Sequence, residues 1–279
     1  MRLQKDLRVQ VSGDRKMRLA LIGFGGLGGI VAEHLARDSA IEFVGVAARA
    51  TQHDRVRAVL GAAPVVDSVS ALLALDPDLV VECASQDAFR QYAQPVLGAG
   101  IDLIAVSVGV LAEADYRERL LATALRAGAS LQIPAGAIGA IDVIAAARHA
   151  GLSRVTLIAR RSPRAWAGSP AASMIDLHAV QEAVLFFDDT AERASLLFTQ
   201  GANATATLAL AGVGFHATRV QLWADPAVTQ SVHYVEADGA CGALRVDLAN
   251  NMASDGTTSL LTAMSIVQAV RNRVAALRF

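Results

Sequence analysis

The segment Met17-Arg-Leu-Ala-Leu-Ile-Gly23-Phe-Gly25-Gly-Leu-Gly28-Gly29 restricts the fold more than any other part of the chain. A short apolar run of strand character ends directly in Gly-x-Gly-x-x-Gly. Leu27, Ile30, Val31, His34 and Leu35 follow at helical spacing. A strand, a glycine turn and a helix in this order form the cradle for a dinucleotide pyrophosphate. Gly23 permits the tight turn, Gly25 lets backbone approach the phosphates, and Gly28 lets the helix pack on the strand. The amides of Gly26, Leu27 and Gly28 open the helix, where unpaired N–H groups and the helix dipole favour an anion. The alternative is a glycine-rich turn in another α/β protein. A second strand expected at Ile41–Val46 favours the dinucleotide reading.

From Met17 to about Pro134 the chain alternates strand and helix. Strands are expected at Leu19–Ile22, Ile41–Val46, Leu79–Glu82, Asp102–Ala105 and Leu131–Ile133. Helices are expected at Gly26–Arg37, His53–Leu60, Ser68–Leu75, Phe89–Gly98 and Ala112–Arg126. The strands are continuously apolar, as parallel strands buried on both faces are. The fold class is therefore α/β: a Rossmann doubly wound parallel sheet, followed by a second α/β domain with an open, mainly antiparallel sheet. In the second domain, helices are expected at Ala140–Ala150, Met174–Glu182, Thr190–Leu197 and Asn203–Ala211. Strands are expected at Val155–Ala159, Thr218–Ala224, Gln230–Ala237 and Ala243–Leu248. A basic loop, Arg160–Trp166, follows the first of these strands. The expected domains are a disordered leader over 1–16, a dinucleotide-binding domain over 17–136, a substrate and dimerisation domain over 137–255, and a C-terminal helix over 256–279 that packs back on the nucleotide domain. Met17 opens the first strand and is a candidate natural start.

With 279 residues, 53% of them hydrophobic and 18% charged, the chain is more apolar than an average soluble domain, which points to extensive burial and a subunit interface, expected to be that of a homodimer. A net charge of −1 argues against nucleic acid as a partner. No apolar run is long enough to span a bilayer, and Met1–Lys16 lack the apolar centre of a signal peptide. Two cysteines, Cys83 and Cys241, are too few for a disulfide scaffold or a thiolate metal site, and they fit a reducing cytoplasm. No His, Cys and carboxylate cluster has metal-ligand spacing.

Ligands of doubly wound sheets bind at the carboxyl ends of the strands. That singles out Gly23–Gly28, Ala47–Arg49, Cys83-Ala84-Ser85, Val106–Gly109 and Pro134–Gly136. The second strand ends Val46-Ala-Ala-Arg49, without the acidic residue that would bond a ribose 2′-hydroxyl. Arg49 is placed to grip a 2′-phosphate, so NADP as well as NAD is an expected cofactor; the alternative is a solvated surface arginine. Arg160, Arg161 and Arg164 form the one dense cationic loop of the second domain. Their guanidinium groups suit a dicarboxylate, although most charge runs are solvated surface features. Backbone N–H groups from Gly136 onward are a second candidate for holding a carboxylate.

Several blocks together resemble the L-aspartate dehydrogenases of the NadX type: Val81-Glu82-Cys83-Ala84-Ser85, Ser107-Val-Gly109, Pro134-Ala-Gly136-Ala137-Ile-Gly139-Ala-Ile-Asp142, and Asn203-Ala-Thr-Ala-Thr-Leu-Ala-Leu-Ala-Gly212-Val-Gly-Phe215. The resemblance runs from Met17 onward. It implies oxidation of L-aspartate to iminosuccinate with NAD or NADP, and a substrate that is a small dicarboxylic amino acid. It also implies that His233 is catalytic, that Ala137 and Asn203 contact the cofactor, and that Asn203 lies near the substrate. Histidine suits the role of base because its ordinary pKa lies near working pH. Two lysines usual in the family are replaced here, at Gln200 and Thr257, which raises the Michaelis constant expected for aspartate. Two alternatives use the same scaffold. One is an imine reductase or a dehydrogenase for another acidic amino acid, and the other is a non-catalytic NADP(H)-binding sensor.

Overall fold

The computed structural model describes residues 15–199, 201–253 and 258–279. The expected leader lies almost wholly outside the described residues. In chain order the strands and helices are β1 (Met17–Ile22), α1 (Gly26–Leu35), β2 (Ile41–Ala47), α2 (His53–Leu60), β3 (Val65–Val66), α3 (Val69–Leu73), β4 (Leu79–Glu82), α4 (Gln86–Gly98), β5 (Asp102–Ala105), α5 (Ala114–Ala127), β6 (Leu131–Gln132), α6 (Ile141–Ala147), β7 (Leu152–Arg161), β8 (Val184–Thr190), α7 (Ala191–Leu197), α8 (Ala202–Ala211), β9 (Arg219–Ala224), β10 (Val232–Gly239), β11 (Gly242–Ala249) and α9 (Leu260–Val274).

Two compact units emerge. The first holds the described residues up to Ala105, with Ala122–Pro134 and Ala263–Phe279. Its six strands run in the order β3-β2-β1-β4-β5-β6, every pairing parallel. Both faces are covered, so Leu19, Leu21, Val46, Val80, Val81, Leu103 and Ile104 are fully buried. That two-sided burial is why these strands carry no polar alternation. Serine caps start two of its helices: Ser68 Oγ accepts the Ala71 amide at 3.3 Å and Ser85 Oγ the Ala88 amide at 3.2 Å. The end of α9 belongs to this unit, where Arg273 pairs with Asp102 at 2.9 Å and Arg271 with Asp38 at 3.5 Å.

The second unit holds Val106–Leu121 and Ala135–Thr262. The stretch after β5 therefore groups with the second unit, although the expected boundary stood at 136. Its five strands run β11-β10-β7-β9-β8, all antiparallel except β7 with β9. The buried face of the sheet is met by α7 and α8. On β10, His233, Val235 and Ala237 point to that face and are buried, while Tyr234 and Glu236 alternate to the other.

Two expectations for this unit fail, and one strand is unforeseen. Arg160 and Arg161 lie in β7, not in a loop, because the strand continues through its pairing with β10 and β9. Met174–Glu182 forms no helix: Asp176 turns the chain, its carboxylate accepting the His178 amide at 3.0 Å and its carbonyl the Ala179 amide at 3.1 Å. Val184–Thr190, for which no strand was expected, is the strand β8.

Candidate functional site

In the first unit the turn between β1 and α1 is built as a cradle. Gly23 has φ +90°, and a Cβ there would sit 2.6 Å from the Cβ of Ala84. A Cβ on Gly28 would overlap the carbonyl oxygen of Gly23. Both positions thus exclude any side chain on packing grounds. Gly25 differs, since a Cβ there would approach nothing nearer than the Gln52 amide at 3.9 Å. Space is therefore left over the start of α1. The first helical bond is Gly29 N–H to Gly25 O at 2.9 Å, so the amides of Gly26, Leu27 and Gly28 have no intrahelical acceptor. A pyrophosphate fits this arrangement: open space, three amides and the positive end of a helix dipole.

Ala84 and Ser85 are exposed at the end of β4. Glu82 lies beneath them, 1% exposed, and its Oε1 accepts the amides of Ala84 at 2.8 Å and Ser85 at 3.1 Å. The carboxylate shapes this turn. Cys83 is a correction to the expected ligand contacts. Its side chain turns into the core beneath the glycine loop, with Sγ 3.5 Å from the Ile22 carbonyl oxygen. Burial, with Glu82 beside it, pushes its thiol pKa well up, so it stays an uncharged packing group.

Arg49 is exposed just past β2. Arg55, which the sequence reading missed, reaches back from α2 over the glycine turn. Its guanidinium lies 5.9 Å from the centre of the Phe24 ring and 3.4 Å from the Gly25 carbonyl oxygen. A surface arginine one helical turn on carries no sequence signal of its own. Here the fold sets it at the pyrophosphate cradle.

In the second unit, His233 on β10 pairs with Ala159 on β7 and Leu248 on β11. It is 6% exposed and lines a cavity with Arg161, Trp166, Phe198, Thr205 and Leu222. The cavity is narrow and opens to solvent at its mouth. Burial, and then the charge of Arg161, lower the His233 pKa to about 4. The imidazole is therefore neutral at physiological pH, not poised near it as its residue type led us to expect. Asn250, 4% exposed, donates from Nδ2 to the Ala137 carbonyl oxygen at 2.9 Å and lies 3.2 Å from His233 Nδ1.

Strand alternation separates the two arginines. Arg161 faces the cavity, 4.9 Å from the centre of the Trp166 ring. Burial lowers its pKa, its Nε is buried without a hydrogen bond, and no acid pairs with it among the described residues. Arg160 faces the opposite side of the sheet. It pairs with Asp225 at 3.2 Å and stacks 4.7 Å from the Trp223 ring and 5.8 Å from Tyr234. Arg160 is thus occupied structurally and does not line the cavity, which corrects its assignment to substrate. Arg164 is exposed in the short turn after β7.

Two other expected residues come together. Asn203, at the head of α8, accepts the Gly109 amide on its Oδ1 at 3.0 Å. Its Nδ2 makes no hydrogen bond among the described residues. Gly136, with φ +65°, and Ala137 shape the loop before α6. That helix starts only at Ile141, so the amides from Gly136 onward do not open it directly. His216 sits on the surface, 3.2 Å from Glu192. Gln200 and Thr257 lie outside the described residues. Among the described residues no cluster of metal-ligating side chains forms, and no helix is long and apolar enough to cross a membrane.

Comparison with known proteins agrees with both halves. The NAD-binding domain of homoserine dehydrogenase matches as a family over residues 23–134, and the C-terminal domain of aspartate dehydrogenase over residues 142–273. The L-aspartate dehydrogenase of Ralstonia nicotianae is 41% identical over 266 residues, covering 93% of this chain and 98% of its own. That of Acinetobacter baumannii is 36% identical over 262 residues, covering 94% and 99%. The crystal structure of aspartate dehydrogenase from Thermotoga maritima superposes with a TM-score of 0.73 at 24% identity, over 95% of this chain and all of that one, a likeness of fold. With such identity along nearly the whole chain, and a dinucleotide cradle ahead of the matching C-terminal domain, the protein belongs to the L-aspartate dehydrogenase family of NAD(P)-dependent oxidoreductases.

Proposed function

We propose that this protein oxidises L-aspartate to iminosuccinate, and runs the reverse amination, with Arg161 as the anchor for a substrate carboxylate and His233 in contact with the reacting part of the substrate. The observation that carries this reading is a largely buried guanidinium facing a cavity, with no acid to meet it among the described residues. A buried cation is costly unless an anion pairs with it, and a carboxylate supplies two oxygens to the guanidinium fork. The bound nicotinamide supplies the chemistry of hydride acceptance from Cα. The chain's own residues hold the amino acid in place. Arg161 fixes a carboxylate, the Trp166 face keeps the guanidinium aimed, and His233 offers one ring nitrogen to the cavity. The substrate amine gives up a proton as the C=N bond forms, and water then replaces nitrogen at that carbon, releasing ammonia and oxaloacetate.

The cofactor is NAD or NADP. Gly26, Leu27 and Gly28 are assigned to the pyrophosphate, with Ala84 and Ser85 beside the cradle. Gly109, Ala137 and Asn203 are assigned to the nicotinamide end, where Asn203 Nδ2 is available as a donor. Arg49 favours NADP through its 2′-phosphate, since no acidic residue follows β2, while Arg55 lies at the pyrophosphate that both cofactors share. The outer face of the second sheet, with Trp223, Tyr234 and several arginines partly exposed, supports a homodimer; the two free cysteines support a cytoplasmic enzyme. Steady-state assays with L-aspartate, and with oxaloacetate plus ammonia, test the assignment. Activity in neither direction, beside turnover of another amine or keto acid, refutes aspartate as substrate.

A further inference from the structure

His233 lines the cavity, and its Nδ1 is occupied. The Asn250 side chain holds it. Asn250 Nδ2 lies 2.9 Å from the Ala137 carbonyl oxygen, which can only accept. That distance assigns the amide: the atom facing Ala137 is nitrogen, since oxygen there would set two acceptors against each other. The same nitrogen lies 3.2 Å from His233 Nδ1. With one amide hydrogen on Ala137, the second is free for Nδ1, and an Nδ1 that accepts it carries a lone pair and leaves the ring proton to Nε2. The hairpin enforces this pairing, because β10 and β11 bring Val232 opposite Ala249, with Asn250 next in the chain. Arg161 on β7 is the charged group acting on the ring among the described residues. From α8, Ala204 and Thr205 line the cavity beside His233, and from β9 Leu222 does; none carries a charge.

We propose that Asn250 is a positioning residue that locks His233 as the neutral Nε2–H tautomer, so that the histidine meets substrate as a hydrogen-bond donor and not as its base. To accept a proton at Nε2, the ring would first have to move its own proton to Nδ1, where it would face the Asn250 N–H head to head. His233 instead donates to an oxygen of the substrate, either a carboxylate oxygen or the hydroxyl formed when water adds at the imine carbon. The proton leaving the substrate amine then goes to solvent, and oxidation quickens with pH as more substrate amine is neutral. The inference rests on His233 facing the substrate, but its test does not require aspartate to be that substrate.

The full-length protein labelled with ¹⁵N-histidine gives the tautomer directly from two-bond ¹H–¹⁵N correlations, with the His233 signals identified by their loss in His233→Gln. The expected result is an unprotonated Nδ1 and a protonated Nε2 at pH 7, with no titration down to about pH 5. Asn250→Asp replaces the donor by an acceptor and should move the proton to Nδ1. It should also raise the ring pKa and give the pH profile of kcat/KM a new ionisation near neutrality. Turnover should fall by about 10–100-fold, as when an outer partner that orients a histidine is removed. A proton on Nδ1 in the wild-type protein, or an unchanged tautomer in Asn250→Asp, overturns the proposal. If that variant does not fold, the wild-type spectrum decides alone.

Discussion

Replacing Arg161 by methionine separates binding from folding, because the two effects have opposite signs at this position. The guanidinium is desolvated and has no acid partner among the described residues, so there its charge gains only the stacking on Trp166 at 4.9 Å. A cation over tryptophan is worth about 0.5–2 kcal/mol, of the same order as the desolvation that methionine would relieve. Methionine keeps the volume and fills the site flexibly. The stability change should therefore stay within about 1 kcal/mol. Substrate loses more. Each charge-assisted hydrogen bond to a carboxylate is worth about 1.5–3 kcal/mol, which is roughly 10–150-fold in affinity. The assay is a pair of measurements: urea unfolding of both proteins, and KM for L-aspartate at saturating cofactor. A second consequence follows at His233. Arg161 is the smaller of the two causes lowering its pKa, so in Arg161→Met the value should rise from about 4 but stay below the ordinary 6.5, because burial remains. A variant that loses several kcal/mol of stability while KM is unchanged refutes the reasoning, since the arginine would then be part of the scaffold.

Arg160 should behave in the opposite way: Arg160→Ala strands Asp225, whose side chain is 7% exposed, and should cost about 2–4 kcal/mol in urea unfolding with little change in KM. His233 binds its proton more weakly folded than unfolded, so stability is highest above pH 6.5 and falls as pH drops toward 4. That loss of roughly 3 kcal/mol should be absent in His233→Gln when stability is measured against pH. Arg49→Ala should weaken NADPH by about 1–3 kcal/mol and leave NADH nearly unchanged, as read by titration of both cofactors; equal losses for the two cofactors remove this arginine from the 2′-phosphate site.

Much of the first unit can be read along the chain, because its signals are local. Each parallel strand is a short apolar run, and α1, α3 and α4 open on Gly25, Ser68 and Ser85, whose roles depend on their neighbours in sequence. Gly23 and Gly28 are needed by contacts a few residues away and by the strand beside them, and the motif announces both. In the second unit the relevant partners lie far apart. His233 came to attention through family resemblance, for a histidine amid apolar strand residues carries no mark of function. Asn250 is 17 residues away and Ala137 is 113 from Asn250, so nothing local points to the bond network that sets the histidine's proton. Gly109 and Asn203 meet across 94 residues.

The arginine pair shows the division most plainly. Composition and spacing mark Arg160-Arg161 as a cationic dipeptide and say no more, because a loop would leave both in solvent. Pairing of β7 with β10 and β9 extends the strand through both residues, and the pleat then sends neighbouring side chains to opposite faces. One guanidinium meets Asp225 and two aromatic rings, and the other meets a cavity whose described lining carries no acid. Periodicity and turn chemistry thus determine which segments are strands, helices and cradles, since these depend on residues within a turn or two. Which side chains are buried together, and so which charges go unpaired and which way a proton faces, was decided only when distant strands came into register.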